Sequence, residues 1–462
     1  MSSAARERFD DANERVRENL PREHGFEGAA RIEGDLPAGF EGTLYRNGPG
    51  LRERFGQRLG HSFEGDGAIT AVRVSGGRAE MASRFVRTPE YLEEERQGKL
   101  LYGLGVSWFR RMGNTMSGRS KSPANVNVMR WQGKLLAVAE GGAPYLMDPD
   151  TLETLGAPDM AGMAPGYHSP HPHRVESRDA SYSFRLLWGK QTELSIFSYP
   201  DEGAPKELTR VGIDGAVYIH DFIATQDHLI FFIPPVRINI LRAMSRIGPL
   251  RKIFGWKPEL GTKVIVVPID DPENPIEMSA PAFHVWHYAN AFAREGELFV
   301  DFSYWPDFSS FDAVGSTSYE TTSSPDLRRA RLDLKARTFS MEVLTDFAAE
   351  FPSVAPSQWG QESGLVWSQT ETKDRSGVMS CDLRTGDIQR FLFEPGQIVS
   401  EPNHAPRSGG APGEGVLSTL CYDLATHTSF LAMFDAQHIE DGPTSKIWFD
   451  HHVPMTFHGF WA

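Results

Sequence analysis

The sequence predicts an all-β fold, specifically a seven-bladed β-propeller. Its 462 residues include 44 glycines and 31 prolines, a content that suits many short strands joined by tight turns. One unit recurs: an apolar strand, a turn rich in Asp, Pro, Gly or Thr, and a second strand. A chain longer than about 250–300 residues divides into domains unless one repeated, closed architecture absorbs it. The recurring unit favours the closed architecture.

Seven hairpins of this kind are found, at residues 71–86, 145–156, 195–212, 264–280, 330–344, 378–394 and 430–449. Each is interpreted as the outer pair of a four-stranded blade, because radial repetition protects strand edges within one domain. A two-domain β protein with similar hairpins is the alternative. The glycines of NGPG (47–50) and GDG (65–67) are interpreted as tight turns that need positive φ.

The predicted organisation is an N-terminal helical extension over residues 1–35 and a single catalytic propeller domain over residues 36–462. The first twenty residues are charged and end at the helix-breaking Pro21, which indicates a short helix. A loop and helix cap is expected over the active-site face. One basic, apolar insertion is expected at residues 228–258.

Charge and cysteine content exclude several classes of protein. The formal net charge of -14 argues against a general nucleic-acid binder. Two cysteines, Cys381 and Cys421, exclude a disulfide scaffold and fit a reducing compartment. The sequence has no run of 18 apolar residues, and its N-terminus lacks the apolar stretch of a signal peptide. These features predict a cytoplasmic protein.

Residues 228–258 depart from the acidic background, because they contain no Asp or Glu. Arg242, Arg246 and Arg251 lie there among large apolar residues, and residues 100–123 have a similar character. Such basic amphipathic segments bind the headgroup region of a membrane, so the three arginines are candidate membrane contacts. An insertion packed on the propeller with a solvated basic face is the alternative.

The 15 histidines include several in separate strand-like segments. His171, His220, His287 and His458 are separated by 49, 67 and 171 residues, which matches no zinc finger or HExxH helix. The innermost strands of a propeller point side chains at one axis, so one histidine per blade can converge there. Neutral imidazoles favour Fe, Zn or Cu over Mg or Ca. Hydrogen-bonded core histidines are the alternative.

Seven longer motifs occur in a fixed order along the chain and are more specific than the histidine spacing. They are GTLYRNGPG (42–50), HSFEGDGAI (61–69), EGGAPYLMDPDTLETLG (140–156), IHDFIAT (219–225), WHYANAF (286–292), SEPNHAPR (400–407) and VPMTFHGFW (453–461). Together they resemble the carotenoid cleavage oxygenase family, from about Leu36 to the C-terminus. That family has a seven-bladed propeller with a non-haem Fe(II) on its axis.

The resemblance implies one Fe(II) per chain, with His171, His220, His287 and His458 as ligands. His168 and His173 compete with His171 for the first position. The remaining candidates, His284, His451 and His452, lie outside the matching motifs and are expected to be structural or solvent-exposed.

Three glutamates occupy positions where the family has carboxylates that orient the ligands. By this resemblance Glu140 orients His220, Glu350 orients His287 and Glu401 orients His458, which leaves His171 without a carboxylate. A carboxylate that accepts the second N–H of a ligating imidazole fixes its tautomer and ring orientation.

The implied reaction is cleavage of a carbon–carbon double bond of a carotenoid or apocarotenoid, with O₂ as cosubstrate and aldehyde or ketone products. No organic cofactor is implied, and no G-x-S-x-G, P-loop or CxxC motif is present. The substrate partner would be an apolar polyene. Which bond is cleaved and the oligomeric state stay open.

Alternatives within and outside the family remain. Stilbene-cleaving members place a Lys before the Glu of the EGG-like motif, where this chain has Ala139, which favours a polyene. A retinoid isomerohydrolase and a non-catalytic carotenoid- or lipid-binding propeller are the others. The chain departs from the family at Glu64, Ala293 and Asn403-His404, which leaves the subfamily open.

Overall fold

Seven blades surround a central axis in the computed structural model, which describes residues 3–160, 167–189, 191–245, 250–311 and 323–462. This confirms the predicted all-β propeller with a short N-terminal helix. The seven predicted hairpins fall one to a blade, where each forms an outer antiparallel pair. In blades 1 and 7 a further strand from the N-terminal region lies outside the hairpin.

In the first three blades, four or five strands follow one another from the axis outward. Blade 1 contains His458–Trp461, Gly42–Leu51, Asp66–Ser75, Arg78–Phe85 and His24–Gly28. Blade 2 contains Asn127–Trp131, Lys134–Val138, Tyr145–Met147 and Thr154–Gly156. Blade 3 contains Tyr167–His168 and His173–Val175 as inner strands, then Ala180–Trp188, Thr192–Pro200 and Lys206–Ile213.

The other four blades follow in chain order. Blade 4 contains Ile223–Ala224, His228–Ile233, Thr262–Pro268 and Ile276–Ala280. Blade 5 contains His284–Arg294, Glu297–Trp305, Asp326–Asp333 and Thr338–Thr345. Blade 6 contains Glu350–Ser353, Leu365–Glu371, Ser376–Asp382 and Ile388–Leu392. Blade 7 contains Gln397–Val399 and Asn403–Pro406 as inner strands, then Gly415–Asp423, Thr428–Asp435, Ser445–Trp448 and Arg31–Gly34.

The two ends of the chain close the ring. The C-terminal strand His458–Trp461 pairs with Gly42–Leu51, so blade 1 combines both ends of the sequence. Two N-terminal strands, His24–Gly28 and Arg31–Gly34, pair with the outer edges of blades 1 and 7. The predicted extension over residues 1–35 therefore includes propeller strands. Arg31–Gly34 is an edge strand, and all four of its residues are exposed.

A hydrophobic cluster fills the space between each pair of neighbouring blades. Phe184 of blade 3 packs with Phe231 of blade 4, for example, and Leu44 of blade 1 packs in one cluster with Leu431 of blade 7. The five other neighbouring pairs each share such a cluster. Burial of this apolar surface stabilises the ring at every joint, including the joint between the first and last blades.

Four α-helices decorate the propeller among the described residues: α1 (Ser3–Arg15), α2 (Pro89–Gln97), α3 (Trp108–Met116) and α4 (Ile240–Ser245). Helix α1 buries Phe9 and Ala12 against blade 7. Helix α2 begins at Pro89. The side chain of the preceding residue, Thr88, caps it by accepting a hydrogen bond from the Tyr91 amide.

The predicted insertion at 228–258 starts with a blade strand, because His228–Ile233 pairs with Thr262–Pro268. The segment that leaves the blade begins after this strand. It contains α4 and a small sheet in which Val236–Ile238 pairs with Phe254–Trp256. Side chains of this sheet pack on a cluster of aromatic residues that includes Trp286.

The prediction of positive-φ turns at NGPG and GDG is wrong. Gly48 and Gly50 lie within the strand Gly42–Leu51, Gly67 lies within Asp66–Ser75, and none of these glycines has a positive φ. Close approach of the backbone explains two of them instead. A Cβ on Gly48 would lie 2.6 Å from the Met455 carbonyl oxygen, and one on Gly67 would lie 2.1 Å from the Ala124 carbonyl oxygen.

Candidate metal centre and cavity

The four predicted ligand histidines converge at the axis. His171 comes from blade 3, and His220 lies three residues before the start of the inner strand of blade 4. His287 and His458 lie on the inner strands of blades 5 and 1. The Nε2 atoms of His171 and His220 are 3.0 Å apart. Ring centroids of His171 and His458 are 4.5 Å apart, and those of His287 and His458 are 4.8 Å apart.

This geometry fits a metal ion. One ligand atom each from His171, His220 and His287 lies within 4.8 Å of the others, and all three residues are buried in the centre of the ring. Burial, together with the neighbouring imidazoles, holds the pKa of His171 well below its usual value. Burial also lowers the pKa of His458 to about 4. Neutral imidazole is the form that binds a metal.

Each of three glutamates accepts a hydrogen bond from the histidine with which the resemblance pairs it. Nδ1 of His220 donates to Glu140 Oε1 at 2.8 Å. Nδ1 of His287 donates to Glu350 Oε2 at 2.6 Å.

The third pair completes the pattern, with Nδ1 of His458 donating to Glu401 Oε1 at 2.8 Å. Since Nδ1 carries the proton in each pair, the Nε2 lone pair is left for a metal. Nε2 of His287 is buried without a hydrogen-bond partner among the described residues, which supports this fit. Within the same part of the chain, no hydrogen bond joins His171 to a carboxylate.

A second layer of side chains holds the carboxylates in place. The Tyr218 hydroxyl donates to Glu140 at 2.8 Å, and the Trp305 indole donates to Glu350 at 2.7 Å. Sequence reasoning missed both donors, because a lone aromatic residue in a strand is more often only a core residue.

Arg46 is the third residue that sequence reasoning missed, although it lies inside the GTLYRNGPG motif. Its buried guanidinium donates to Glu401 and also to the Phe457 carbonyl at 2.9 Å. Burial alone would raise the pKa of Glu401, but His458 and Arg46 outweigh it and lower that pKa to about 2. Glu401 therefore stays ionised and accepts from His458.

The competing histidines lie away from the centre. His168 packs against Phe197, with ring centroids 5.8 Å apart. Nε2 of His173 is 2.9 Å from Asp221 Oδ1. His284, His451 and His452 are buried, so of the two expectations for them the structural one fits.

Next to the histidines lies a cavity whose lining surface is predominantly apolar. Phe63, Val126, Trp286, Trp305 and Phe457 line it, and His220, His287 and His458 form part of the same wall. Its polar lining includes Arg17, Arg52 and Glu371, none of which the sequence predicted as site residues. An elongated apolar molecule in this cavity would contact the imidazole group directly.

The candidate membrane contacts lie elsewhere. Arg242 is exposed on α4, and Arg251 is exposed after it. Arg246 lies outside the described residues. No helix among the described residues is long and apolar enough to cross a bilayer.

Comparison with known proteins places this architecture in a family. The family model described as "Retinal pigment epithelial membrane protein" matches residues 18–462. The chain belongs to this family, the carotenoid oxygenases.

Two curated relatives and one solved structure illustrate the similarity. The chain is 31% identical to the apocarotenoid-15,15'-oxygenase of Synechocystis sp., over 93% of this chain and 92% of the relative. It is 27% identical to an isoeugenol monooxygenase of Pseudomonas nitroreducens, over 93% of this chain and 94% of the relative. A cobalt-substituted Synechocystis apocarotenoid oxygenase superimposes with a TM-score of 0.90 at 29% identity, covering 98% of each chain.

Proposed function

We propose that this carotenoid oxygenase is a non-haem Fe(II) dioxygenase that cleaves a carbon–carbon double bond of a carotenoid or apocarotenoid. One observation carries the proposal: four histidines converge, three of them are oriented by glutamates, and these three, His220, His287 and His458, form part of the wall of an apolar cavity. A relative named as an apocarotenoid oxygenase supports the choice of substrate.

The roles of the side chains follow from their contacts. His171, His220, His287 and His458 would hold Fe(II), with Glu140, Glu350 and Glu401 fixing the direction of three imidazoles. Bound Fe(II) would supply the redox chemistry that O₂ activation requires. The aromatic wall of the cavity would hold the polyene and exclude water.

The reaction balances without a proton donor or a reductant. One C=C bond breaks and two C=O bonds form, so that each carbonyl product takes one oxygen atom of O₂. No acid or base is needed at the reacting carbons, which agrees with a cavity wall rich in aromatic and aliphatic side chains.

The direct test measures iron and products together. Iron-loaded protein is incubated with an apocarotenal under isotopically labelled O₂, and the products are identified by mass spectrometry. We expect two carbonyl products, each with one labelled oxygen, and none under argon. Iron-loaded protein that yields no carbonyl product from a panel of polyenes and stilbenes would contradict the proposal.

A phenolic stilbene is the second candidate, because similar relatives include a resveratrol cleavage oxygenase of Chaetomium globosum, 27% identical over 95% of this chain. The residue before Glu140 is the buried Ala139, so this position offers no cation to a phenolic oxygen. The same product panel separates the two substrates.

We also propose that α3 and α4 contact a membrane surface from which an apolar substrate is taken. Phe109 and Met116 of α3 are 81% and 85% exposed, and Leu241 of α4 is 81% exposed. Arginines flank these side chains in the sequence, and anionic lipid headgroups attract such basic segments.

A further inference from the structure

Arg52 places a cation in the wall of the apolar cavity that His220 and His458 also line. The residue is only 5% exposed. Its Nε and Nη1 atoms are buried and have no hydrogen-bond partner in the described part of the chain. The backbone is held firmly, because the Arg52 amide donates to Asn19 Oδ1 at 2.7 Å. Two nitrogens of this guanidinium are thus buried donors that no acceptor among the described residues satisfies.

Three other buried arginines each have a carboxylate partner. Arg46 pairs with Glu401, Arg54 lies 2.8 Å from Asp66, and Arg185 lies 2.7 Å from Glu207. Within the described ranges no carboxylate lies within 4.0 Å of the Arg52 guanidinium. A buried charge without a partner is costly, so a group that accepts its hydrogen bonds would be bound strongly.

The electrostatic surroundings also favour an acceptor. Burial, with the positive charges of Arg17 and Arg58, lowers the pKa of Arg52 to about 10, so the group remains a cation at neutral pH. Arg17 and Arg52 line both the cavity and a cleft on the protein surface beside α1. The two arginines therefore lie between the cavity and this cleft.

We propose that Arg52 binds the oxygen-bearing end of the substrate, so that the cavity selects a polyene ending in a carboxylate or a carbonyl group over a hydrocarbon carotene. A carboxylate can accept two parallel hydrogen bonds from a guanidinium, an aldehyde accepts fewer, and a hydrocarbon accepts none. The polyene itself rests on the proposed function, but the recognition by Arg52 is tested by binding alone.

The binding test uses iron-loaded protein under argon and four polyenes of equal chain length: an acid, an aldehyde, an alcohol and a hydrocarbon. Trp286 and Trp305 line the cavity, so a bound polyene should quench tryptophan fluorescence. We expect the Arg52→Met substitution to raise Kd for the acid and the aldehyde by roughly tenfold or more, and to leave Kd for the hydrocarbon nearly unchanged.

Two further variants guard against a folding artefact. Arg52→Lys keeps the charge and should retain part of the preference for the acid. Arg58→Met removes a nearby arginine whose side chain is 51% exposed and which does not line the cavity, so it should keep the wild-type order of affinities. The wild-type protein alone must also bind the acid and the aldehyde with a lower Kd than the hydrocarbon.

The outcomes separate this inference from the proposed function. Equal affinity of the wild type for all four polyenes, or an equal loss for all four in Arg52→Met, would overturn the role of Arg52. End-group preference in a protein that cleaves none of the polyenes would support Arg52 and refute the dioxygenase. Cleavage of the polyenes, with affinities that do not depend on the end group, would support the dioxygenase and refute the role of Arg52.

Discussion

Arg46 and Glu401, 355 residues apart in the chain, form a buried ion pair directly behind His458. One oxygen of Glu401 accepts from Arg46 and the other accepts from His458. The first and seventh blades thus jointly fix one imidazole at the axis. The same contact therefore joins the first and last blades and holds the carboxylate that orients His458.

Replacing Arg46 should lower the stability of the protein and weaken its iron binding. Arg46→Met leaves Glu401 buried without its cation, which we expect to lower the free energy of unfolding by about 3–5 kcal/mol, measured by urea denaturation. Glu401 would no longer be held in the position that orients His458, so iron binding should also weaken by roughly 10- to 100-fold. The matched control is Arg294→Met, which breaks an ion pair at the surface and should cost about 1 kcal/mol or less. Wild-type iron affinity in Arg46→Met would contradict the positioning role.

The ligand assignment is tested at His220. His220→Ala removes one of the converging imidazoles, so iron occupancy measured by atomic emission should fall and cleavage should be abolished. His404→Ala is the control, because His404 is also buried but stacks on Trp367 with ring centroids 4.6 Å apart. It should lose stability and keep its iron. Unchanged activity of His220→Ala would remove that residue from the ligand set.

Much of this architecture could be predicted from the sequence because it is repeated or embedded in motifs. The hairpins recur seven times, and the four histidines and three glutamates lie in long sequence segments that resemble one family. The repeated hairpins therefore predicted the blades, and the motifs predicted which histidines converge at the axis.

Residues that act through contacts across the ring escaped prediction. Arg52 and Glu371 lie in charged stretches of the sequence, LRERFGQR (51–58) and QTETKDR (369–375), where nothing distinguishes them from surface residues. They line the same cavity only because the ring brings blades 1 and 6 to it. The error at NGPG has a related cause. A glycine can be needed for a positive φ in a turn or for the close approach of another backbone segment. Only the position of that neighbouring segment distinguishes the two cases.

Membrane contact should depend on charge and on the exposed apolar side chains. Changing Arg242, Arg246 and Arg251 to Glu should reduce sedimentation with anionic liposomes, since each basic residue near the surface contributes about 1 kcal/mol. Leu241→Ser should weaken binding to anionic and neutral vesicles alike. The control is Arg331→Glu, an exposed position on blade 5 that should leave sedimentation unchanged. Equal sedimentation of wild type and the triple variant would count against the proposed surface.

Glu371 should make the stability of the protein depend on pH. Burial in the cavity wall raises the pKa of this carboxyl to about 7, against an ordinary value of 4.5. Between these values the folded state keeps a proton that the unfolded state has lost, so the free energy of unfolding falls as the pH rises from about 4.5 to 7.

The Glu371→Gln substitution should remove this loss, because a neutral amide has no proton to release. We expect the variant to match the wild type near pH 4.5 and to become more stable than it by up to about 3 kcal/mol above pH 7. Thermal melts across this pH range measure the difference. Glu362→Gln, an exchange at an exposed residue, provides the control. A Glu371→Gln melting curve parallel to the wild type at every pH would show that the carboxyl is already ionised in the folded protein.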